Sequence, residues 1–449
     1  LLNDAVSTLH PTAMLATLSA IGATSAKYTA RWTLDAHHTW SYSGTFGLVR
    51  TAGDWRVHWT PAVLYPTLRD GQRLALVTVA ADHTAVVDRV GKTLVTAGAA
   101  GRRLADKDFQ PMLTALVARV PSGPSTTFGI ERVDANGRNL QTLYGSATGT
   151  AKPLKSTLSA SVQSAALSVV DSYSGDATIV AISPSDGGLL AAAQNGTDQP
   201  SPFVSLYAPG STFKIVTATA ALEAGIATEN SELPCPRSEV IGTRKISNDE
   251  GFDLGTTTMR LAFAHSCNTT FGKLASQVPP AELVDVADQF GLNADFEIPG
   301  LDTQTGKVVP SADADQQVED GIGQGNEQVS PFGEALMAAT VAAGHAVTPQ
   351  LWRDDETSVA TAYSAPPDSV LTPLRGMMRA VVTTGTATGL AHSGTVYGKT
   401  GTAQVADPKD ANGWFTGYRG DIAFAVFLPN SNGSGPAVEL AAKFLAALG

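Results

Sequence analysis

The stretch Ala208–Gly225, "APGSTFKIVTATAALEAG", sets two chain breakers in front of an apolar helical pattern. Pro209 disfavours helix in the residue before it and Gly210 permits an unusual backbone angle, so the pattern predicts a helix that starts abruptly at Ser211. Ile215, Ala218 and Leu222 recur at helical spacing, and Gly225 is a natural stop. Ser211 and Lys214 then project from one face, a turn apart. A serine hydroxyl is a weak nucleophile without a base, and a lysine of ordinary pKa, about 10.4, is protonated at neutral pH. Burial together with a second cation nearby would depress that value and make Lys214 a base. Free N–H groups at the helix mouth would stabilise an oxyanion forming at a carbonyl attacked by Ser211. The plain alternative is an N-cap serine and a solvated lysine. Yet this Ser-x-x-Lys is the only one in the chain, and it introduces an apolar helix where a solvated lysine is out of place.

Two further segments carry chemistry-bearing side chains. His265-Ser-Cys-Asn-Thr-Thr270 lies between the helical runs "TTTMRLAFA" (256–264) and "FGKLASQV" (271–278). On a tight connection between helices, Ser266 is placed to relay a proton and Asn268 to hold a substrate amide; a helix cap is the alternative. Tyr397-Gly-Lys-Thr-Gly-Thr-Ala-Gln-Val405 alternates like a strand, with a cation, two hydroxyls and a glycine that admits a close backbone approach. Its alternative is an edge strand with a surface lysine.

The composition narrows the field. A chain of 449 residues is long enough for about three domains and a substantial core. With 41 acidic against 30 basic side chains and a net charge of -11, a surface for nucleic acid or anionic lipid is disfavoured. Cys235 and Cys267 are too few for a disulfide framework and wrongly spaced for zinc; one bridge or two unpaired small hydrophobes both remain open. His37 and His38 are adjacent, but no His-x-x-x-His occurs, so no metal centre is expected. No window holds 18 apolar residues, and the chain starts at Leu1 without a methionine, so a signal or anchor is expected to have been removed or left out.

Residues 1–70 read as a small α+β unit in which Trp55, Val57 and Trp59 share a strand face. Residues 71–154 read as a connector of short strands with a helix near Pro111 to Val120. From 155 to 449 long apolar helices and strands predominate, with "ATIVAIS" (177–183) and "IAFAVFLP" (422–429) as buried-strand candidates. Gly321-Ile-Gly-Gln-Gly325 lacks the spacing of a nucleotide loop and is read as a tight turn before a helix at Pro331.

Ser-x-x-Lys, Ser-x-Asn and Lys-Thr-Gly in this order resemble the penicillin-binding proteins and serine β-lactamases. The segments "YAPGSTFKI", "GIGQGNEQVSPFGEALMAAT", "TTGTATGL", "GKTGTAQV" and "NGWFTGYRGDIAFAVF" are similar to the transpeptidase domain of class B penicillin-binding proteins. "DWRVHWTPAVLYPTL" resembles the nuclear-transport-factor-like N-terminal domain of the resistance-type members, and residues 71–154 resemble a shortened pedestal or dimerisation region. The implied fold combines small α+β N-terminal domains with an α/β transpeptidase domain, an antiparallel sheet flanked by helices plus an all-helical subdomain. No glycosyltransferase-like region precedes it, which disfavours a bifunctional class A enzyme.

The resemblance implies a peptidoglycan D,D-transpeptidase acting on stem peptides that end in D-Ala-D-Ala. Ser211 would attack, Lys214 would take its proton, and Ser266 would pass a proton to the leaving D-Ala. Backbone N–H groups of Ser211 and Thr402 would form the oxyanion hole, and Asn268 would bind the substrate backbone. Lys399 would keep Lys214 deprotonated and attract the substrate carboxylate, held by Thr400 and Thr402 across Gly401. No cofactor is implied. Expected partners are the donor and acceptor stem peptides, β-lactams trapped at Ser211, and a glycosyltransferase, at the extracytoplasmic face of a bacterial membrane. The rivals are a D,D-carboxypeptidase, a serine β-lactamase and, from another class, a silent β-lactam sensor or cell-wall scaffold. No Glu-x-x-x-Asn of the class A β-lactamase kind follows the second motif, which disfavours the hydrolase.

Overall fold

The computed structural model describes residues 2–34, 39–51, 53–80, 85–97, 103–105, 112, 116, 126–144, 153–196, 199–404 and 410–449. The chain forms two compact units, 1–84 with 97–102 and 121–152, and 85–96 with 103–120 and 153–449. The region 71–154 is therefore shared between both. The helix expected near Pro111 to Val120 lies outside the described residues except Met112 and Leu116, and His37 and His38 lie outside them altogether.

In the first unit α1 (Leu2–Leu9) precedes an antiparallel meander of β1 (Ala13–Ile21), β2 (Ser25–Thr33), β3 (Thr39–Thr51) and β4 (Asp54–His58). Along β2, Ala26, Tyr28, Ala30 and Trp32 are buried and alternate with exposed neighbours, as a strand with one covered face must. β5 (Arg73–Ala80), β6 (Thr126–Val133) and β7 (Asn139–Tyr144) make a second sheet in the order β7-β6-β5. The core joins Leu9, Tyr28, Trp32, Trp40, Leu74 and Ile130. Trp55 and Val57 do lie in a strand, β4, whereas Trp59 follows its end at His58; Trp55 is 58% and Trp59 51% exposed. β4 pairs with β3 alone at the edge of its sheet, and among the described residues nothing covers it.

The second unit is built on a five-stranded antiparallel sheet of β8 (Thr178–Ile182), β9 (Leu189–Gln194), β10 (Tyr397–Gln404), β11 (Ala411–Arg419) and β12 (Ile422–Leu428). Their order is β9-β8-β12-β11-β10, so β10 is an edge strand. β8 is buried throughout, and β12 is buried from Ala423 to Leu428, because both faces of the sheet are covered. On one face α2 (Ala160–Asp171) packs on β9 and α8 (Gly435–Ala447) on β11 and β12, with Phe415, Phe424 and Phe444 in edge and tilted contact. Each such ring contributes about 1.5–3 kcal/mol by burial. On the other face lie α6 (Pro331–Ala343) against β8, β11 and β12, and α7 (Asp368–Thr383) against β10. α3 (Lys214–Glu223), α4 (Met259–Ala264) and α5 (Asn268–Ala275) form the helical part that carries the first two motifs.

Two local expectations need correction. The helix does not begin at Ser211: Gly210–Phe213 is a 3₁₀ turn, and the α-helix starts at Lys214. The run 256–264 is not helical throughout either. Gly255–Thr258 is a strand paired with Glu232–Cys235, and the β-branched threonines suit it; Thr258 then caps α4 by accepting from the Leu261 N–H at 3.3 Å. The open question about the cysteines is resolved by a disulfide between Cys235 and Cys267, which are 32 residues apart. On a chain-entropy argument such a bridge stabilises the fold by about 3–4 kcal/mol.

Candidate active site

The 3₁₀ turn explains why Ser211 and Lys214 meet. With three residues per turn, side chains at i and i+3 eclipse rather than lie staggered. Lys214 Nζ sits 2.9 Å from Ser211 Oγ. The turn holds its place by close backbone approach. Gly210 has φ +56, and a side chain there would meet the Thr402 carbonyl oxygen at 2.4 Å; its N–H donates to Gly323 O at 2.9 Å.

Lys214 is fully buried, and three of its hydrogen-bond partners, Ser211, Ser266 and Asn268, line a cavity of about 590 Å³. Besides Ser211, its amine reaches Asn268 Oδ1 at 2.6 Å, the Ser266 carbonyl oxygen at 2.8 Å and Ser266 Oγ at 3.2 Å. Ser266 is presented by the short connection between α4 and α5 in a left-handed conformation, φ +61, which for a residue with a side chain costs of order 1–3 kcal/mol. The disulfide fixes the next residue, Cys267, at the N-cap of α5. From the other side Lys399, also fully buried, donates to Ser266 Oγ at 3.0 Å and to the Thr400 carbonyl at 3.0 Å. Phe271 lies against the Lys214 amine at 5.9 Å and Phe263 against the Lys399 amine at 5.5 Å.

Burial, and then the charge of Lys399, hold Lys214 well below the ordinary lysine pKa. Burial alone brings Lys399 down to about 7. A neutral amine has two hydrogens and one lone pair. Asn268 Oδ1 and the Ser266 carbonyl are acceptors only, so they take the two hydrogens and leave the lone pair for the Ser211 hydroxyl.

Of the remaining expected residues, Asn268, Thr400 and Thr402 line the same cavity with varied engagement. Asn268 also donates from Nδ2 to the Ser247 carbonyl at 2.9 Å. Thr400 is buried and pairs its hydroxyl with Thr386 at 2.6 Å, whereas Thr402 is half-buried at the cavity wall. Gly401 lies where a side chain would meet the Pro209 carbonyl oxygen at 2.6 Å, so the third motif and the Ser211 turn are in backbone contact. Among the described residues no group of three or more His, Cys, Asp or Glu is arranged to hold a metal.

Sequence reading missed several wall residues. Gln324 donates to the Thr402 carbonyl at 2.8 Å and accepts from the Gln404 N–H at 3.2 Å; it belongs to the Gly-rich segment that the sequence marks as a tight turn. Its signal was the glycine spacing: at Gly323, φ +78, a side chain would fall 1.8 Å from the Gly210 carbonyl oxygen. Thr386, Asp249 and Glu250 also line the cavity, and nothing in their local sequence sets them apart.

Residues 177–446 match the family described as the penicillin binding protein transpeptidase domain, and residues 20–72 match the NTF2-like N-terminal transpeptidase domain. The peptidoglycan D,D-transpeptidase PbpA of Mycobacterium tuberculosis is 36% identical over 147 residues, 31% of this chain and 29% of that protein. Its counterpart in Mycolicibacterium smegmatis is 34% identical over 140 residues, 30% of this chain and 28% of that protein. The alignments thus span less than a third of these curated relatives. Among solved structures, the D,D-transpeptidase domain of a peptidoglycan glycosyltransferase from Eggerthella lenta has a TM-score of 0.64 at 22% identity, covering 82% of this chain and 98% of that one. An imipenem acyl-enzyme complex of penicillin-binding protein A from M. tuberculosis has a TM-score of 0.62 at 21% identity, covering 82% and 99%. At such identities these two show a common fold. With the three motifs around one cavity and more than half of its length inside the family, the chain belongs to the class B penicillin-binding proteins with an NTF2-like N-terminal domain.

Proposed function

We propose that this protein is a peptidoglycan cross-linking D,D-transpeptidase that works through an acyl-enzyme on Ser211. The hydrogen count at Lys214 supports this reading above all: with both N–H groups committed to Asn268 and the Ser266 carbonyl, the lone pair faces the nucleophile. Ser211 Oγ attacks the carbonyl of the penultimate D-Ala and its proton passes to Lys214 Nζ. The oxyanion forms against the backbone N–H groups of Ser211 and Thr402. As the C–N bond breaks, Ser266, between the two amines, carries a proton to the departing D-Ala nitrogen. Lys399 keeps Lys214 neutral and draws the terminal carboxylate towards Thr400 and Thr402. The amine of a second stem peptide then attacks the ester, giving the cross-link and returning the Ser211 proton. A β-lactam stops at the ester.

The D,D-transpeptidase activity of the PbpA relatives and the acylated relative point the same way. The site of action is then outside the cytoplasm, where peptidoglycan lies; among the described residues no helix is long and apolar enough to cross a membrane. A glycosyltransferase that supplies uncross-linked strands belongs to the proposal as partner. So does the division into 1–70, 71–154 and 155–449, with the last part catalytic.

A fluorescent penicillin tests the reading. The expected result is stoichiometric, long-lived labelling that disappears in Ser211→Ala. Rapid release of hydrolysed drug would instead identify a β-lactamase, and no labelling a scaffold. A donor peptide offered with an amine acceptor then separates transpeptidation from carboxypeptidation by product mass.

A further inference from the structure

Glu334 takes no part in the steps above, yet it is fully buried directly behind the nucleophile. It stands in the first turn of α6, with Oε1 2.7 Å from Thr212 Oγ1 and Oε2 2.5 Å from Thr416 Oγ1. Thr212 follows Ser211 in the 3₁₀ turn, and Thr416 is the cross-strand partner of Lys399. One carboxyl therefore joins the element that carries the nucleophile to the strand beside the Lys-Thr-Gly motif.

The hydrogens decide its state. Thr212 Oγ1 is also 2.8 Å from the Pro209 carbonyl oxygen. Two oxygen–oxygen contacts this short need two hydrogens, and a threonine hydroxyl carries one. A carboxylic acid supplies the other. Glu334 then donates to Thr212, Thr212 donates to Pro209, and Thr416 donates to the free oxygen of Glu334. An ionised carboxyl would lack that hydrogen and would be a buried charge without a cation, a costly arrangement.

The elements packed on α6 bring no counter-charge to it. β8, β12 and the Gln328–Val329 strand carry no ionisable side chain. On β11, Tyr418 stacks on Tyr397 while Arg419 donates to the carbonyls of Ser393 and Gly449. The Lys399 and Lys214 amines are spent on the partners already given, and Glu327 faces Asp320.

We propose that Glu334 is a positioning residue: as a neutral acid it threads a hydrogen-bond chain from Thr416 through Thr212 to Pro209, which fixes the Ser211 turn against the Lys-Thr-Gly strand. The proposal rests on Ser211 being the acylated nucleophile. Burial pushes the Glu334 carboxyl up to about 7, so the chain is complete in mildly acid solution, half open near pH 7 and open as the pH rises further. Opening slows acylation without removing a group that touches substrate.

The test is the second-order rate of acylation by fluorescent penicillin in the whole chain, measured from pH 6 to 9. Glu334→Gln keeps a donor towards Thr212 and an acceptor towards Thr416 and cannot ionise. Its rate divided by that of the wild type is expected to stay constant below about pH 6.5 and to rise at least threefold by pH 9; Lys214 and Lys399 titrate in both proteins and cancel. Glu334→Ala is expected to be slowed tenfold or more at every pH. Should it not fold, Thr212→Val, which keeps the volume and breaks the chain, is expected to be slowed at least fivefold. A flat ratio, or an alanine variant as fast as the wild type, overturns the role of Glu334 alone. Absence of labelling in the wild type overturns the proposed function and this inference with it.

Discussion

Lys214 and Lys399 approach one hydroxyl, Ser266 Oγ, from two sides, and the charge of Lys399 is part of the electrostatic environment of Lys214. Removing the charge in Lys399→Met lets the Lys214 pKa rise, so the acid limb of the acylation profile moves to higher pH and the rate near pH 7 falls tenfold or more. The measurement is penicillin labelling against pH. Stability carries a second signature. Lys399 has a folded pKa of about 7, below the unfolded value of about 10.4, so the unfolded chain binds more protons in that window. The Lys399 contribution to stability must climb with pH from 7 to 10.4, by at most about 1.4 kcal/mol per pH unit, and Lys399→Met should lose that part of the slope in chemical denaturation while the part from Lys214 remains. Glu334 has the opposite sign. Its folded value, about 7, lies above the unfolded one of about 4.3, so its contribution falls between those values and is flat beyond. Relative to wild type, Glu334→Gln should therefore gain up to about 4 kcal/mol between pH 4.3 and 7.

At the scale of elements, the sequence separated what breaks a chain from what brings two chains together only in part. Pro209 and Gly210 announced a discontinuity ahead of Ser211, and the motif spacing announced which segments belong together. The 3₁₀ character of the turn was not legible, because i and i+3 share a face in either helix and only the eclipsed geometry puts the amine over the hydroxyl. Gly323 was readable as a turn residue, but not as the neighbour of Gly210, since that contact joins positions remote in sequence. Gly323→Ala tests it: a left-handed φ and a methyl group directed at a carbonyl oxygen should cost at least about 2 kcal/mol and abolish labelling, read by melting and by fluorescence. Thr386 and Glu334 were silent for the same reason, being ordinary residues until the fold aligns them. The disulfide is the element-scale clamp on Ser266. Reduction, or Cys235→Ser with Cys267→Ser, should lower stability by about 3–4 kcal/mol and slow labelling, because the α4–α5 connection then loses its tether.

Over the whole molecule, legibility followed burial. The central strands of the second unit read as continuous apolar runs, and β8 and β12 lie where "ATIVAIS" and "IAFAVFLP" were found, because a sheet covered on both faces leaves no polar positions. In the first unit the alternation of Trp55 and Val57 identified a strand but not its exposure, since period two reports the pleat and not what lies above it. Gln324 shows what such an arrangement of edges entails. The rim of β10 that borders the cavity is already occupied by a carboxamide bonded to Thr402 O and Gln404 N, so an extended peptide laid along it must exchange bonds rather than add them. On the proposed function, little affinity would accrue from a swap of equals, and discrimination among donors would then be exercised during ester formation, by kinetics more than by capture.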